Sequence, residues 1–495
     1  MVSPHGQRLT WMSILELFAT FALPFSIFLM LASIAGLTVT ALAATHERKA
    51  VAVWYLLGLA IAIVKIWLLQ KAPQWRDASI DSQLYQLHAE ALSLHWQGHS
   101  IDSRLYQLNG FLNWWASFYS YLWQPNMQIS YTSVFGTYEW FYSAVLACWH
   151  LITNDWQFWA TYSNAAFAGA FPAASYGIGR HLGASPRIAT VAAMLALIDP
   201  SIGVNASWLL KDTLAGLFAV FAIWATLKTL RTPDQPTTSI LCLALAGLSV
   251  TRFAAYAAFL LSLVLLLGLF FQRISFQTIT HLGISVIGSM VLFGVLFSTP
   301  KIPTSSSLLD SAIMPFSAKK QTLVTRDKSN DAYDTSVARW HAHLAEDPVG
   351  AITTSVTRTL FSPFPPVGAI INSAAKVLFS SPPWLSASHG LSGTNSIELY
   401  YLGMPLWIVC LPGIVWGILI CIRIPDGAGF FVACMLLALL SAYVLFLGEW
   451  STRQRVFMLP VFFGYAAIGW HDLYVRSRAF ITSRQGKAPF NPKEP

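Results

Sequence analysis

The chain has 495 residues, of which 55% are hydrophobic and only 11% are charged, against roughly 25% charged in soluble proteins. A soluble globule cannot hide that much apolar surface, so a soluble enzyme is excluded, and an aromatic content of 14% excludes disorder. The formal net charge of +8 then reports membrane topology and contact with anionic lipid, not nucleic acid, because no basic run lies beside stacking aromatics in a polar segment.

Taken in chain order, the apolar runs are 12–43, 51–69, 133–152, 157–179, 188–199, 205–227, 239–271, 280–298, 400–421, 429–447 and 456–470. A helix needs about 20 residues to cross a bilayer, so the sequence predicts an all-α polytopic membrane protein with about eleven transmembrane helices, within a range of about nine to thirteen. The first run is too long for the apolar core of a cleavable signal and reads as a retained anchor, with Pro24 placed to break it. The five cysteines stand in or beside apolar runs without a CxxC pair and read as small buried hydrophobes.

Two long stretches are not membrane-like. Residues 70–132 and 299–399 mix charge, Ser, Pro and aromatics, and the tail after Trp470 is basic. The chain therefore divides into an N-terminal transmembrane catalytic module (1–298, including the loop 70–132), an external loop region (299–399), and C-terminal transmembrane helices with a basic tail (400–495). The positive-inside rule puts the tail in the cytoplasm and, walking backward, Arg423 and Arg273 inside and 299–399 outside. Lys228 and Arg231 fall inside only if 239–271 is a hairpin of two short helices. Charge alone leaves that choice, and the side of 70–132, open.

Within 70–132 a nine-residue phrase repeats. Ser79-Ile80-Asp81-Ser82-Gln83-Leu84-Tyr85-Gln86-Leu87 returns as Ser100-Ile101-Asp102-Ser103-Arg104-Leu105-Tyr106-Gln107-Leu108. Ser caps a helix well, Asp suits its first turn, and Leu84, Leu87 and Ala91 then share one face. Each phrase reads as a short amphipathic helix on the membrane surface, and each Asp is equally readable as a helix-start residue. The trios His88/Glu90/His95 and His341/His343/Glu346 read as interfacial polar residues.

Ionisable residues inside apolar runs are the better lead to a site, because charge in lipid is expensive unless it pairs or lines a cavity. They are Glu16, Lys65, Glu139, Lys211, Asp212 and Arg252. Glu16 and Lys65 stand where they can snorkel. Lys211 and Asp212 are placed to neutralise each other. Arg252 is the most costly to place, and its fork suits a lipid-linked phosphate.

From Asp81 to Gly98 the sequence runs Asp-x3-Tyr-x3-Ala-x8-Gly. Further on come Tyr131 to Asp155, Asp199-Pro200 with Trp208-Leu-Leu-Lys211-Asp212, Leu248-Ser-Val-Thr-Arg252, and Arg453-x6-Pro460 ahead of Gly464 and Gly469. In order and spacing these resemble the GT-C superfamily of polytopic glycosyltransferases, the class of the protein O-mannosyltransferases and aminoarabinose transferases. The chain departs from that pattern in carrying two apolar runs before its first loop, and in lacking a His-Pro or Pro-Pro pair there. The resemblance implies a GT-C-like fold whose two large extramembrane loops carry amphipathic surface helices. It also implies transfer of a sugar from a polyprenyl-phosphate-linked donor to a glycan, lipid or protein acceptor at the outer face of a bacterial plasma membrane. Asp81 becomes the expected catalytic base, with Asp77 and Asp102 as alternates; Tyr85, Lys211, Asp212, Arg252 and Arg453 become the substrate-binding set.

That chemistry needs a carboxylate at the acceptor hydroxyl and cations or a metal at the departing phosphate. Whether a divalent metal serves is left open, as is the acceptor. Two other readings stand beside it: an O-antigen-type polysaccharide polymerase or ligase, with Arg326, Arg339 and Arg358 as its candidates, and a transporter or flippase of a lipid-linked substrate. A transporter commonly shows a long inverted repeat, and the sequence has none.

Overall fold

The computed structural model describes residues 21–71, 85, 86, 89, 93, 96, 97, 140–298, 403–442 and 455–484. Every regular element among them is helical. In order they are α1 (Leu23–Leu42), α2 (Arg48–Lys71), α3 (Trp140–Ile152), α4 (Trp156–Ala168), α5 (Ala170–His181), α6 (Pro186–Ile198) and α7 (Pro200–Ser207). There follow α8 (Asp212–Arg231), α9 (Gln235–Thr251), α10 (Phe253–Phe270), α11 (Phe276–Ser298), α12 (Met404–Cys421), α13 (Ala428–Ala442) and α14 (Leu459–Arg484). Short 3-10 turns stand at Thr45–Glu47, Phe271–Arg273 and Val456–Met458.

Local chemistry sets many of the starts. Ser185, Asp199 and Asp234 each accept backbone N–H bonds at the heads of α6, α7 and α9, and each is followed by a proline in the first turn. Partial burial pushes the Asp234 carboxyl up, but bonds from Thr237 and Lys228 outweigh it and hold the pKa below the usual carboxylate range. Pro24 opens α1 within its first turn.

Among the described residues, seven helices are long and apolar enough to cross a membrane, or eight if the α6–α7 pair, bent by 46°, is one span. The expected count of about eleven is not reached among the described residues. The run 157–179 is divided at Gly169 into α4 and α5, and the described apolar stretches Phe141–Ile152, Gln235–Thr251 and Ala428–Leu440 are shorter than a span. The run 239–271 is two helices, α9 and α10, meeting at Arg252. In α8, 89% of the most apolar stretch is buried in protein, against 28% in α1, α2 and α11. α8 is therefore an inner helix, and the other three face lipid.

Polar contacts sort the helix ends into two faces. At one, Arg180 pairs with Glu47, Lys228 donates to Ala41 O at 2.8 Å, Arg231 donates to His181 O at 2.7 Å, and Arg231 stands 3.5 Å from Asp426. Arg273 reaches Pro425 O and Trp416 bonds Asp472 at this same face. Exposed Arg48, Lys49, Arg187, Arg423, Arg476 and Arg478 surround it. The hairpin at Arg252 is what brings Lys228 and Arg231 to the face that carries Arg273 and Arg423.

The surface position expected for the first repeated phrase needs correction for the residues described. Tyr85, Ala89 and Ser93 are helical but buried, and they pack on protein: Ser93 Oγ lies 2.9 Å from His150 Nδ1, and Tyr85 meets Tyr142 edge-on at 5.5 Å. Their i, i+4, i+8 spacing puts them on one helical face, and Tyr85 and Ser93 meet α3 there. The amphipathic reading favours Leu84, Leu87 and Ala91 because it weighs hydrophobicity and not the fit to a partner helix.

Candidate functional site

At the face opposite the basic rim, two groups of buried ionic side chains stand on either side of the Val456–Met458 turn. The first is built where α9 breaks. Arg252 has φ −153° and ψ 79°, outside the helical region, so it ends α9 and opens α10. Its guanidinium donates to the Asp212 carboxylate and lies 4.9 Å from the centre of the Phe457 ring. Asp212 is the first residue of α8 and is only 1% exposed, and a carboxylate at a helix N-terminus is favoured by the helix dipole.

Lys211, also buried, holds its ammonium 6.0 Å from the centre of the Tyr85 ring. Behind Tyr85, the Tyr142 hydroxyl accepts from Asn164 Nδ2 at 3.2 Å. Asn164 also donates toward Ala206 O and Trp208 O at 3.3 and 3.4 Å, and so fastens α4 to the irregular segment between α7 and α8. The expectation that Lys211 and Asp212 neutralise each other is corrected: the Asp212 carboxylate pairs with Arg252, 40 residues away. Adjacent residues at a helix start point in different directions, so an Asp and a Lys side by side there need not meet.

The second group joins α2, the α6–α7 bend and the C-terminal helices. Asp199 Oδ1 accepts from Ser201 N at 2.8 Å and Ile202 N at 3.3 Å. Lys65 donates to Leu197 O at 2.7 Å and Asp199 O at 2.6 Å. This corrects the snorkelling expected of Lys65, which turns into the protein to satisfy carbonyls at the end of α6. Arg455, only 2% exposed, stacks over Trp407 at 4.5 Å. Asp199, Ser201, Gly403, Trp407, Arg455 and Leu459 line a small crevice.

Of the expected site residues, Tyr85, Lys211, Asp212 and Arg252 come together. Asp77, Asp81, Asp102 and Arg453 lie outside the described residues, as do Glu16, Glu139 and both histidine trios. Sequence reasoning passed over Arg455, Asp199 and Lys65 as a group. Arg455 stands at the edge of an apolar run, where a base looks like an interface anchor. Its signal was Pro460 and the apolar residues directly after it, which bury whatever opens that helix. Among the described residues no three His, Cys, Asp or Glu side chains gather as a metal site.

The chain as a whole is similar to two solved structures. One is the archaeal oligosaccharyltransferase AglB from Archaeoglobus fulgidus in complex with an inhibitory peptide and a dolichol-phosphate, at 13% identity and a TM-score of 0.46, covering 90% of this chain and 52% of that one. The other is the Archaeoglobus fulgidus oligosaccharyltransferase in its apo form, at 15% identity and a TM-score of 0.46, covering 88% and 53%. The chain thus spans about half the length of these structures. No family model matches the sequence, and no curated protein does.

Proposed function

We propose that this protein is a membrane glycosyltransferase that moves a sugar from a polyprenyl-phosphate-linked donor to a glycan, lipid or protein acceptor at the non-cytoplasmic face. One observation carries the reading. Lys211, Asp212 and Arg252 converge at one end of an apolar helical bundle, beside the Tyr85 of the Asp-x3-Tyr-x3-Ala phrase. Ionic groups buried in an apolar helical bundle of this kind mark a functional site by default. In the transfer, the acceptor oxygen bonds to the anomeric carbon, the bond from that carbon to the phosphate oxygen breaks, and a carboxylate takes the hydroxyl proton. The phosphate leaves with an added charge, which the Arg252 and Lys211 side chains are suited to receive.

Asp81 is the base in this reading. Four residues of chain span at most about 14 Å, so Asp81 stands within that distance of Tyr85; eight residues to Asp77 allow about twice as much, and seventeen to Asp102 far more. A metal, if used, would draw on these acids. The basic rim supports a cytoplasmic position for its own face by the positive-inside rule, and in this reading the two ionic groups stand toward the other side.

The test is transfer from a radiolabelled polyprenyl-phosphate sugar by purified protein in lipid. Transfer by the wild-type protein is expected, with Asp81→Asn slowed by about 10²–10⁴-fold. Movement of the intact donor across a bilayer without cleavage would replace this reading with a transporter. Normal transfer by Asp81→Asn would move the base to Asp77.

A further inference from the structure

We infer that Lys65 is a positioning residue for the site: it fixes the α6–α7 bend and, through Asp199, the place of Arg455. The inference rests on the glycosyltransferase reading for its kinetic consequence, but its geometry stands alone. Pro200 has no N–H, so the ladder of α6 stops there and its last carbonyls lose their helical donors. Lys65, reaching from a helix more than 130 residues earlier, donates to two of them. A positive charge at the negative end of α6 adds to the hold.

The stem of Lys65 contributes as well as its head. It lies across α7 at Gly203, where a methyl group would stand only 2.7 Å from Lys65 Cδ. The bend is thus held from above by the ammonium and from the side by the alkyl chain.

What the bend holds is Asp199. Its Oδ1 is occupied by the amides of Ser201 and Ile202, and its Oδ2 turns toward Gly403. Asp199 and Arg455 line one crevice, with the Arg455 guanidinium against Trp407. Two residues beyond Arg455, Phe457 lies under Arg252. A shift of the bend therefore moves a carboxylate that lines the Arg455 crevice, and the turn that follows Arg455 also supports Arg252. Misplacement of a catalytic constellation by about 1 Å can cost about 10²-fold in rate.

The geometric test needs no activity. A Cβ at position 403 would lie 3.5 Å from Ser201 Cβ, within the range for a disulfide of about 3.5–4.5 Å. Ser201→Cys with Gly403→Cys should cross-link on mild oxidation, as read by peptide mapping. The yield should fall several-fold when Lys65→Met is added, and likewise with Gly203→Ala, which displaces the stem without touching the charge; Lys65→Arg should restore it. Equal yield in the Lys65→Met and wild-type backgrounds would overturn the inference.

The kinetic test is a cycle with Arg455→Lys. Lys65→Met alone should slow transfer by about 10–100-fold, yet slow the Arg455→Lys protein little further, because both act on one element. Fully additive losses would make Lys65 a general stabiliser and overturn the positioning role. Wild-type protein that transfers no sugar would sink the glycosyltransferase reading instead, and the cross-link would still decide the role of Lys65.

Discussion

Asp212 and Arg252 form a buried ion pair, and removing one partner is not equivalent to replacing both. Removing one member leaves the other buried with its strongest partner gone, so Asp212→Ala should destabilise the protein by about 3–5 kcal/mol, measured by unfolding in detergent. Asp212→Leu combined with Arg252→Met should recover most of that stability, because apolar side chains of similar volume carry no desolvation penalty. Transfer should be lost in both. Arg252→Lys separates charge from shape: it keeps the cation but not the planar fork. It should slow transfer by about tenfold or more, matching one charge-assisted hydrogen bond at about 1.5–3 kcal/mol. Wild-type rates in Arg252→Lys would mean that only its charge matters.

Between helices, α12 and α14 touch backbone to backbone. A Cβ at Gly469 would stand 1.9 Å from Gly413 O, and one at Gly417 would stand 2.1 Å from Tyr465 O. No side-chain rotation relieves a clash with a carbonyl. Gly464, on the same helix as Gly469, has nothing nearer than 3.7 Å. Gly469→Ala should therefore lower the melting temperature clearly, while Gly464→Ala should leave it nearly unchanged; equal effects would mean that the two helices separate freely. Lys211, Asp212 and Arg252 were visible in the sequence because each interrupts an apolar run, and placing a charge there is costly wherever the partner lies. Lys65 was as visible and was misread, because its partners are carbonyls on a helix more than 130 residues away. Carbonyls have no sequence signature. Tyr85 and Ala89 stood out in the Asp-x3-Tyr-x3-Ala phrase, but their burial with Ser93 did not, because the partners Tyr142 and His150 lie on a helix more than 50 residues away.

For the molecule as a whole, the two faces differ in kind. One carries a rim of exposed arginines and lysines tied by ion pairs; the other holds the buried groups around Arg252 and Arg455. Orientation follows from the rim, so a cysteine placed at exposed Ser477 should react with an impermeant maleimide only after cells are permeabilised. A cysteine at exposed Lys71, at the far end of α2, should react in intact cells. The reverse pattern would invert the protein and put the site in the cytoplasm.

The dependence of the site on Val456–Met458 has a meaning in time. Translation delivers Lys65 first, then Asp199, Lys211 and Asp212, then Arg252, and Arg455 and Phe457 only at the head of α14. The Asp212–Arg252 pair can close while the ribosome is still working, which shields those charges during insertion. The other half stays unfinished until the Val456–Met458 turn has been made. A nascent chain would therefore hold its costliest charges paired well before the Arg455 side of the region is built.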